Sequence, residues 1–451
     1  MPEAPVIIVG AGIAGLVAAT RISQAGLPVV LLEARNRIGG RIFTQHDSSG
    51  SAIEFGAEFI HGRPSEIWQP LENAGAVITE IEGQSWCVSH GKISSCEFFS
   101  QVDSILDSMD DSHPDESFLT FLERRFPNPS QEPGLVEAKR RAIAYVSGFN
   151  AADPALIGVR WLTSEMRAEE KNQGDRAFRS ENGYADLLDA FLRQIERSNV
   201  RITTGAVVER VEWKPGTAKV VARVDNTEAA FTSAHILITL PISLLQASQG
   251  IGTVEFVPVL PREKVASLEH IEMGKVIRMV LRFRHRFWDT ISPTAESRRS
   301  GNKTLIDMGF LFSEDECFPT WWTSMPKKEP VITGWAPFRA AERLSGLSQS
   351  TITDKALGTL STSLGVSMRD LEGLLDASYV HDWQTDPFSR GAYSYGKVGA
   401  LEAQRELGKP VESTLFFAGE ATDTSGNNGT VHGAIASGYR AAEEIIRATR
   451  K

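Results

Sequence analysis

Val6-Ile7-Ile8-Val9-Gly10-Ala11-Gly12-Ile13-Ala14-Gly15 is the stretch on which the fold turns. Four β-branched apolar residues in a row read as a buried parallel strand. Glycines follow at G-x-G-x-x-G spacing, and Leu16 to Gln24 continues at helical spacing. A second apolar run, Val29-Val30-Leu31-Leu32, ends on Glu33. Strand, glycine turn, helix and second strand each have a physical job in holding a dinucleotide. Gly10 allows a tight turn, Gly12 lets backbone N–H groups approach a pyrophosphate, and Gly15 lets helix and strand pack closely. The helix N-terminus faces the phosphates with partial positive charge. Glu33 can accept hydrogen bonds from both ribose hydroxyls and repels a 2′-phosphate, which disfavours NADP. Glycines alone would be a weak signal, but with strand, helix and acid in place the pattern points to a dinucleotide. Both FAD and NAD satisfy it.

Working outward, Ala34-Arg35-Asn36-Arg37-Ile38-Gly39-Gly40-Arg41 is a second glycine turn flanked by arginines. Placed directly after a ribose-binding acid, it fits a second clamp on the same pyrophosphate. The run Ile53 to Gly62 alternates and ends in a turn. From about Leu71 to Arg193 the pattern reads as helical, with helices expected near Ser104–Met109, Phe118–Arg125, Leu135–Ser147 and Ala185–Ile195. Polar loops over Asp110–Glu116 and Asn128–Gly134 separate them. Strands return at Val200–Thr203, Val207–Trp213 and Ala218–Val224, with a hairpin signal at Lys214-Pro215-Gly216-Thr217. His235–Leu240, an alternating Val276–Phe283 and Val331–Trp335 read as further strands, and Thr351–Leu364 as an amphipathic helix. Nothing repeats with a fixed period.

Bulk numbers bound the answer. A chain of 451 residues is too long for one ordinary core, so two domains are expected. An apolar fraction of 41% and a charged fraction of 23% are those of a globular protein. The net charge of −10 argues against nucleic acid as a partner and is compatible with a cationic small molecule. Three cysteines, Cys87, Cys96 and Cys317, form no C-x-x-C pair. Neither a disulfide framework nor a zinc site is expected, and a reducing, cytoplasmic setting is the expectation. No stretch is long and apolar enough to span a bilayer, and the apolar start lacks the basic flank of a secretory signal.

At the far end, Leu415-Phe416-Phe417-Ala418-Gly419-Glu420 reads as a buried strand ending in Gly-Glu. After the polar loop Asp423–Asn428, the segment Gly429-Thr430-Val431-His432-Gly433-Ala434-Ile435-Ala436-Ser437-Gly438-Tyr439-Arg440 carries small residues at helical spacing. Dinucleotide-type elements at both ends suggest one domain assembled from separated pieces, with a second inserted. Together with the Gly39-Gly40-Arg41 clamp, these blocks resemble the flavin-containing amine oxidases, a group that includes monoamine and polyamine oxidases and flavin-dependent histone demethylases.

The resemblance implies an α/β fold. A Rossmann-like FAD-binding domain would be built from 1–82, 177–272 and 402–451, and an α+β substrate-binding domain from 83–176 and 273–401. It implies non-covalent FAD contacted by Gly10, Gly12, Ala14, Gly15, Glu33, Ala34, Arg35, Gly39, Gly40, Arg41, Gly56, Ala57, Glu58, Val208, Trp383, Gly419, Glu420, Thr430 and Val431. Trp383, Tyr393, His61, Thr430 and Arg278 would face the reacting atoms, Trp383 flanking the ring and Tyr393 forming a wall of the amine site. It also implies a small amine and O2 as reactants, with hydrogen peroxide as a product.

Departures carry information. Ala392 stands where monoamine oxidases have the cysteine that binds flavin covalently, and Thr430 stands where they have a second tyrosine. In most members a lysine, placed ten residues before the tryptophan of a Phe-Trp pair, holds a water against the flavin. Counting back from Phe287-Trp288 puts Arg278 there. Arg278 cannot deprotonate and carries a planar donor fork suited to water or to a substrate carboxylate. Lys275, three residues away on a strand, faces the other side. The leading reading is an amine oxidase. A flavin-dependent oxidase or desaturase of a non-amine or carboxylate-bearing substrate is the alternative, and a non-enzymatic binding protein on the same scaffold is a third.

Overall fold

The computed structural model describes residues 4–96, 98–127, 133–195, 199–293 and 304–450. Its organising sheet has five parallel strands, β1 (Val6–Val9), β2 (Val29–Leu32), β3 (Val200–Thr203), β4 (Ile236–Ile238) and β5 (Leu415–Phe417), in the order β3-β2-β1-β4-β5. Register runs Ile7 opposite Ile236, Val29 opposite Val200, and Ile236 opposite Leu415. Strands β1, β4 and β5 are apolar on both faces because both are covered, as parallel sheets require, while the edge strand β3 carries the exposed Arg201. The expected class is borne out: an α/β layer assembled from segments far apart in sequence.

Strand order reverses beside β1, and the crevice at such a point, outside the carboxyl ends of the strands, is where open α/β sheets bind ligands. The first helix, Ile13–Gln24, begins there. So does the C-terminal helix, Val431–Thr449, which Thr430 caps by accepting from the Gly433 N–H. These two helices touch backbone to backbone. A Cβ on Gly438 would lie 2.5 Å from the Ala14 carbonyl oxygen, which is why small residues recur along the terminal segment.

A second sheet has seven strands. Its strand Val276–Phe283 pairs with Val331–Pro337 on one side and Leu375–Asp382 on the other. The expected alternation there means two different interiors rather than a wet and a dry face. Ile277, Met279, Leu281 and Phe283 enter a core with the helix Gln349–Leu364, while Val280 packs with Ile53 and Phe55.

Two expectations are corrected. The helical stretch from Leu71 to Arg193 also holds strands at Ile78–Glu80, Gln84–Ser89, Lys92–Ser95 and Ala177–Ser180. They are short, and their pairing partners are mostly distant, so periodicity within the segment does not reveal them. Cys87 and Cys96 are joined by a disulfide, Cα to Cα 5.6 Å. His90 and Gly91, both at positive φ, turn the chain into a tight hairpin that brings residues nine apart together. Counting C-x-x-C pairs missed this, and the inference to a reducing compartment loses its basis. Most of the loop expected over Asn128–Gly134 lies outside the described residues. Among the described residues no helix is long and apolar enough to cross a membrane.

Candidate active site

The glycine turn is held from beneath. Thr239, just past β4, donates its hydroxyl to the Val9 and Gly10 carbonyls, 2.9 Å each. A Cβ on Gly15 would lie 2.0 Å from the Gly10 oxygen, so strand and helix meet only because it is glycine. Glu33, 3% exposed, accepts from the Ala11 and Arg35 backbone N–H groups at 2.9 Å each. One carboxylate thus pins the tip of β2 to the glycine turn and keeps lone pairs for a ligand.

The second turn reaches both ends of the chain. Gly39 donates its N–H to the Ala11 carbonyl at 2.8 Å. Arg41 donates to Glu420 Oε1 and to the Ala392 carbonyl, 2.8 Å each. Glu420 also accepts from the Ser394 hydroxyl at 2.5 Å and the Gly429 N–H at 3.2 Å. Arg35 pairs with Asp386 at 2.5 Å, and Asp386 holds His381 Nε2 at 3.0 Å. Both arginines are therefore committed partly to protein carboxylates, tying the N-terminal turns to the Trp383–Tyr395 block.

One cavity of about 1290 Å³ runs through these groups. Its lining includes Gly12, Glu33, Val208, Trp383, Glu420 and Thr430. Arg278, His61 and Tyr393 line it as well. Trp383 is fixed by its indole N–H to the Phe55 carbonyl at 2.8 Å, and Tyr393 by its hydroxyl to the Phe149 carbonyl at 2.6 Å. Val208 lies next to a bulge in its strand. Of the cofactor contacts named from sequence, Gly15 is the one supporting the turn from behind rather than lining the cavity.

Arg278 is engaged by the protein on part of its guanidinium. It ion-pairs with Glu58 and donates to the Gly56 carbonyl at 3.0 Å, 5% exposed. Glu58 also accepts from Arg179 Nε at 2.7 Å and Trp322 Nε1 at 2.9 Å. Against the penalty of burial, the two guanidiniums and the indole N–H hold its carboxyl below the usual range. Burial pushes His432 down to about 3, with His61 as a second cause, and close crowding by protein pushes His61 down although its side chain keeps accessible surface, so both favour the neutral imidazole. His432 Nε2 contacts Asn427 Oδ1 at 3.0 Å, and so does Asn172 Nδ2 at 2.9 Å.

Sequence reasoning missed the helix Val159–Lys171, which brings Glu165 and Glu169 to the cavity. Glu165 accepts from Trp161 Nε1 at 2.7 Å and Asn150 Nδ2 at 2.9 Å. Burial, then the Glu169 charge, pushes its carboxyl well above the usual range. Glu169 keeps accessible surface, yet protein crowds it closely enough to push it up to about 7. Their i,i+4 spacing was the signal available; nothing local says that this face meets a cavity rather than solvent.

The family model described as flavin containing amine oxidoreductase matches residues 13–79 and 97–446. Lysine-specific histone demethylase 1 homolog 3 of Arabidopsis thaliana is 28% identical across 98% of this chain and 30% of its own length. Human lysine-specific histone demethylase 2 is 25% identical, over 98% and 53% respectively. The chain thus spans about half or less of these longer relatives. Probable polyamine oxidase 4 of Arabidopsis thaliana is 26% identical over 98% of this chain and 87% of its own. Among solved structures, putrescine oxidase bound to putrescine aligns at TM-score 0.78 and 21% identity, covering 99% of both chains. Cyclohexylamine oxidase from Brevibacterium oxydans aligns at 0.78 and 19% over the full length of both. At that identity the likeness shows the fold.

Proposed function

The chain belongs to the flavin-containing amine oxidoreductase family, and from that premise we propose that it oxidises primary or secondary amines, polyamines among them, with FAD held without a covalent bond. The observation that carries this is the cavity joining Glu33 to Glu420 past Trp383 and Tyr393. The residues fit the cofactor: a Cβ would close the glycine turn at Gly10 and Gly15, while none meets an obstacle at Gly12, on the cavity side. Ala392 supplies no thiol for a covalent link.

When bound, FAD supplies a two-electron acceptor for hydride from the carbon next to nitrogen; with O2 and water the balance is amine to carbonyl, released amine and hydrogen peroxide. The chain's own residues bind, orient and exclude water. Glu33, Arg41, Glu420 and the two glycine turns hold the cofactor's polar length. Trp383 and Tyr393 wall the reacting region, each locked by a hydrogen bond to backbone, so an amine meets a preorganised surface. The neutral pair His61 and His432 adds no cation to that wall, which suits a substrate that arrives positively charged.

The alternative, a carboxylate-bearing substrate gripped by Arg278, loses its support. That guanidinium already pairs with Glu58 and donates to the Gly56 carbonyl. The test is to supply the holoprotein with a panel of amines under air and assay peroxide, then repeat without oxygen and follow bleaching of the yellow colour. Peroxide formation with anaerobic bleaching is expected; a flavin that stays oxidised with every amine overturns the reading.

A further inference from the structure

Trp383 is backed by a polar line that the chemistry above leaves unused. His381, near the end of the strand Leu375–Asp382, meets the indole in a T-shaped contact, ring centroids 4.3 Å apart and planes at 68°. Its Nε2 lies 3.0 Å from Asp386 Oδ2, while Asp386 Oδ1 accepts from Arg35 at 2.5 Å and from the Phe388 N–H at 2.9 Å. Against the penalty of burial, the His381 hydrogen bond and Arg35 hold the Asp386 carboxyl below the usual range. Arg35 in turn lies 6.0 Å from the centre of the Trp383 ring, so both ends of the line, imidazole and guanidinium, reach the same indole. Trp383 and Arg35 line the cavity, whereas His381 and Asp386 stand outside its lining. The His381 side chain is 27% exposed, so it exchanges protons with solvent whether or not the cavity is filled.

Charge is what this line can change. The guanidinium of Arg35 and the carboxylate of Asp386 cancel. Imidazole is the side chain that ordinarily changes charge near neutral pH, and its protonation leaves one positive charge against Trp383. Other charged groups around His381 are engaged elsewhere. Arg278, its register partner on the neighbouring strand, is turned to Gly56 and Glu58, and Arg282 further along that strand pairs with Asp47. Arg37 lies over Phe43, the second ring against the imidazole. Asp382 accepts from Ser345, Gly346 and Gln384, and Arg390 donates to the Gln249 and Ile251 carbonyls. We propose that His381 is a positioning residue acting through Trp383: it sets the indole against the flavin ring and, when protonated, raises the flavin's reduction potential. A reduced flavin gains electron density that a nearby cation stabilises. The inference goes beyond amine oxidation and rests on that reading only for the place of Trp383 beside the ring.

The experiment measures the flavin potential of the holoprotein against reference dyes at about pH 5 and about pH 8, the two sides of the histidine range. Native protein is compared with His381→Gln and His381→Arg. Glutamine keeps a donor for Asp386 without a charge; arginine keeps the donor and never deprotonates. At the acid pH and one fixed potential, the ratio of reduced to oxidised flavin should be about tenfold higher in native protein than in His381→Gln. That is the scale of one unit charge across an aromatic ring at an effective dielectric constant of about 20. At the alkaline pH the native ratio should match His381→Gln, while His381→Arg should stay above His381→Gln at both. A purely packing role would lower stability in both variants without separating their potentials. Native protein and His381→Gln that agree in acid, or differ equally at both pH values, would overturn the inference. The measurement needs bound flavin and no substrate. Failure of every amine to turn over would therefore sink the functional reading and leave this comparison to be decided by itself.

Discussion

Arg278 shows how one residue changes meaning between sequence and structure. Read along the chain it is a lone cation where a lysine is expected; in space it is one arm of a network in which Glu58 answers two arginines and Trp322. Removing that carboxylate leaves the buried Arg278 and the half-buried Arg179 uncompensated. Glu58→Gln should therefore cost about 3–5 kcal/mol of stability, read as a fall in the urea midpoint. Because the folded state holds the Glu58 carboxyl below its ordinary value, its contribution is complete above that value and is lost as pH falls through the depressed one. Native protein and Glu58→Gln should accordingly converge in stability on acidification. At Gly15 the contact is with backbone. Gly15→Ala must push the helix off β1, and about 1–3 kcal/mol of destabilisation with loss of bound flavin is expected. A variant retaining full flavin absorbance would show that the turn tolerates a methyl group. Gly10, Gly12, Gly15 and Glu33 were legible because their roles are local. Glu165 and Glu169 were not, since their surroundings are set by tertiary packing rather than by their spacing on one helix.

Elements tell the same story at larger size. The terminal helix, the strand Val276–Phe283 and the helix Ala185–Ile195 follow from periodicity, while the hairpin Gln84–Ser95 was read as part of a helical region. Its disulfide closes a short loop, so Cys87→Ser with Cys96→Ser should cost about 2–3 kcal/mol. The native protein should show the same loss under a dithiol reductant; an unchanged unfolding midpoint in both would show that the bond is not formed. Elsewhere Lys264, 2% exposed, spans two elements. Its ammonium donates to the carbonyls of Glu406, Leu407 and Lys409, ending the helix Ala400–Gly408, and lies 4.3 Å from the Phe417 ring. Lys264→Met keeps the stem and drops the donors, so a loss of about 2–3 kcal/mol is expected by thermal or chemical unfolding.

Across the whole molecule, carboxyls raised by burial make stability depend on pH in a predictable sense. Burial pushes Glu54 up to about 8, where Tyr184 N–H and Thr44 donate to it, and pushes Glu169 up to about 7. Between the ordinary carboxylate value near 4.5 and these raised values the unfolded chain has released protons that the folded one keeps. Stability should thus fall as pH rises from about 4.5 towards 8, the opposite sign to Glu58. Glu54→Gln, similar in shape and always neutral, should flatten that slope; a slope unchanged in the variant would place the titration elsewhere.

Sequence alone determined the nucleotide-binding half of this protein. Glycine spacing, β-branched runs and the acid at the tip of β2 act over a few residues, and backbone sterics there leave little to the rest of the chain. Tertiary structure decided the other half: that Arg41 links the N-terminal turns to Glu420, that Arg278 is paired with Glu58, and that Glu165 and Glu169 lie along the same cavity. Electrostatic character belongs to a neighbourhood, and neighbours hundreds of positions apart are chosen by packing.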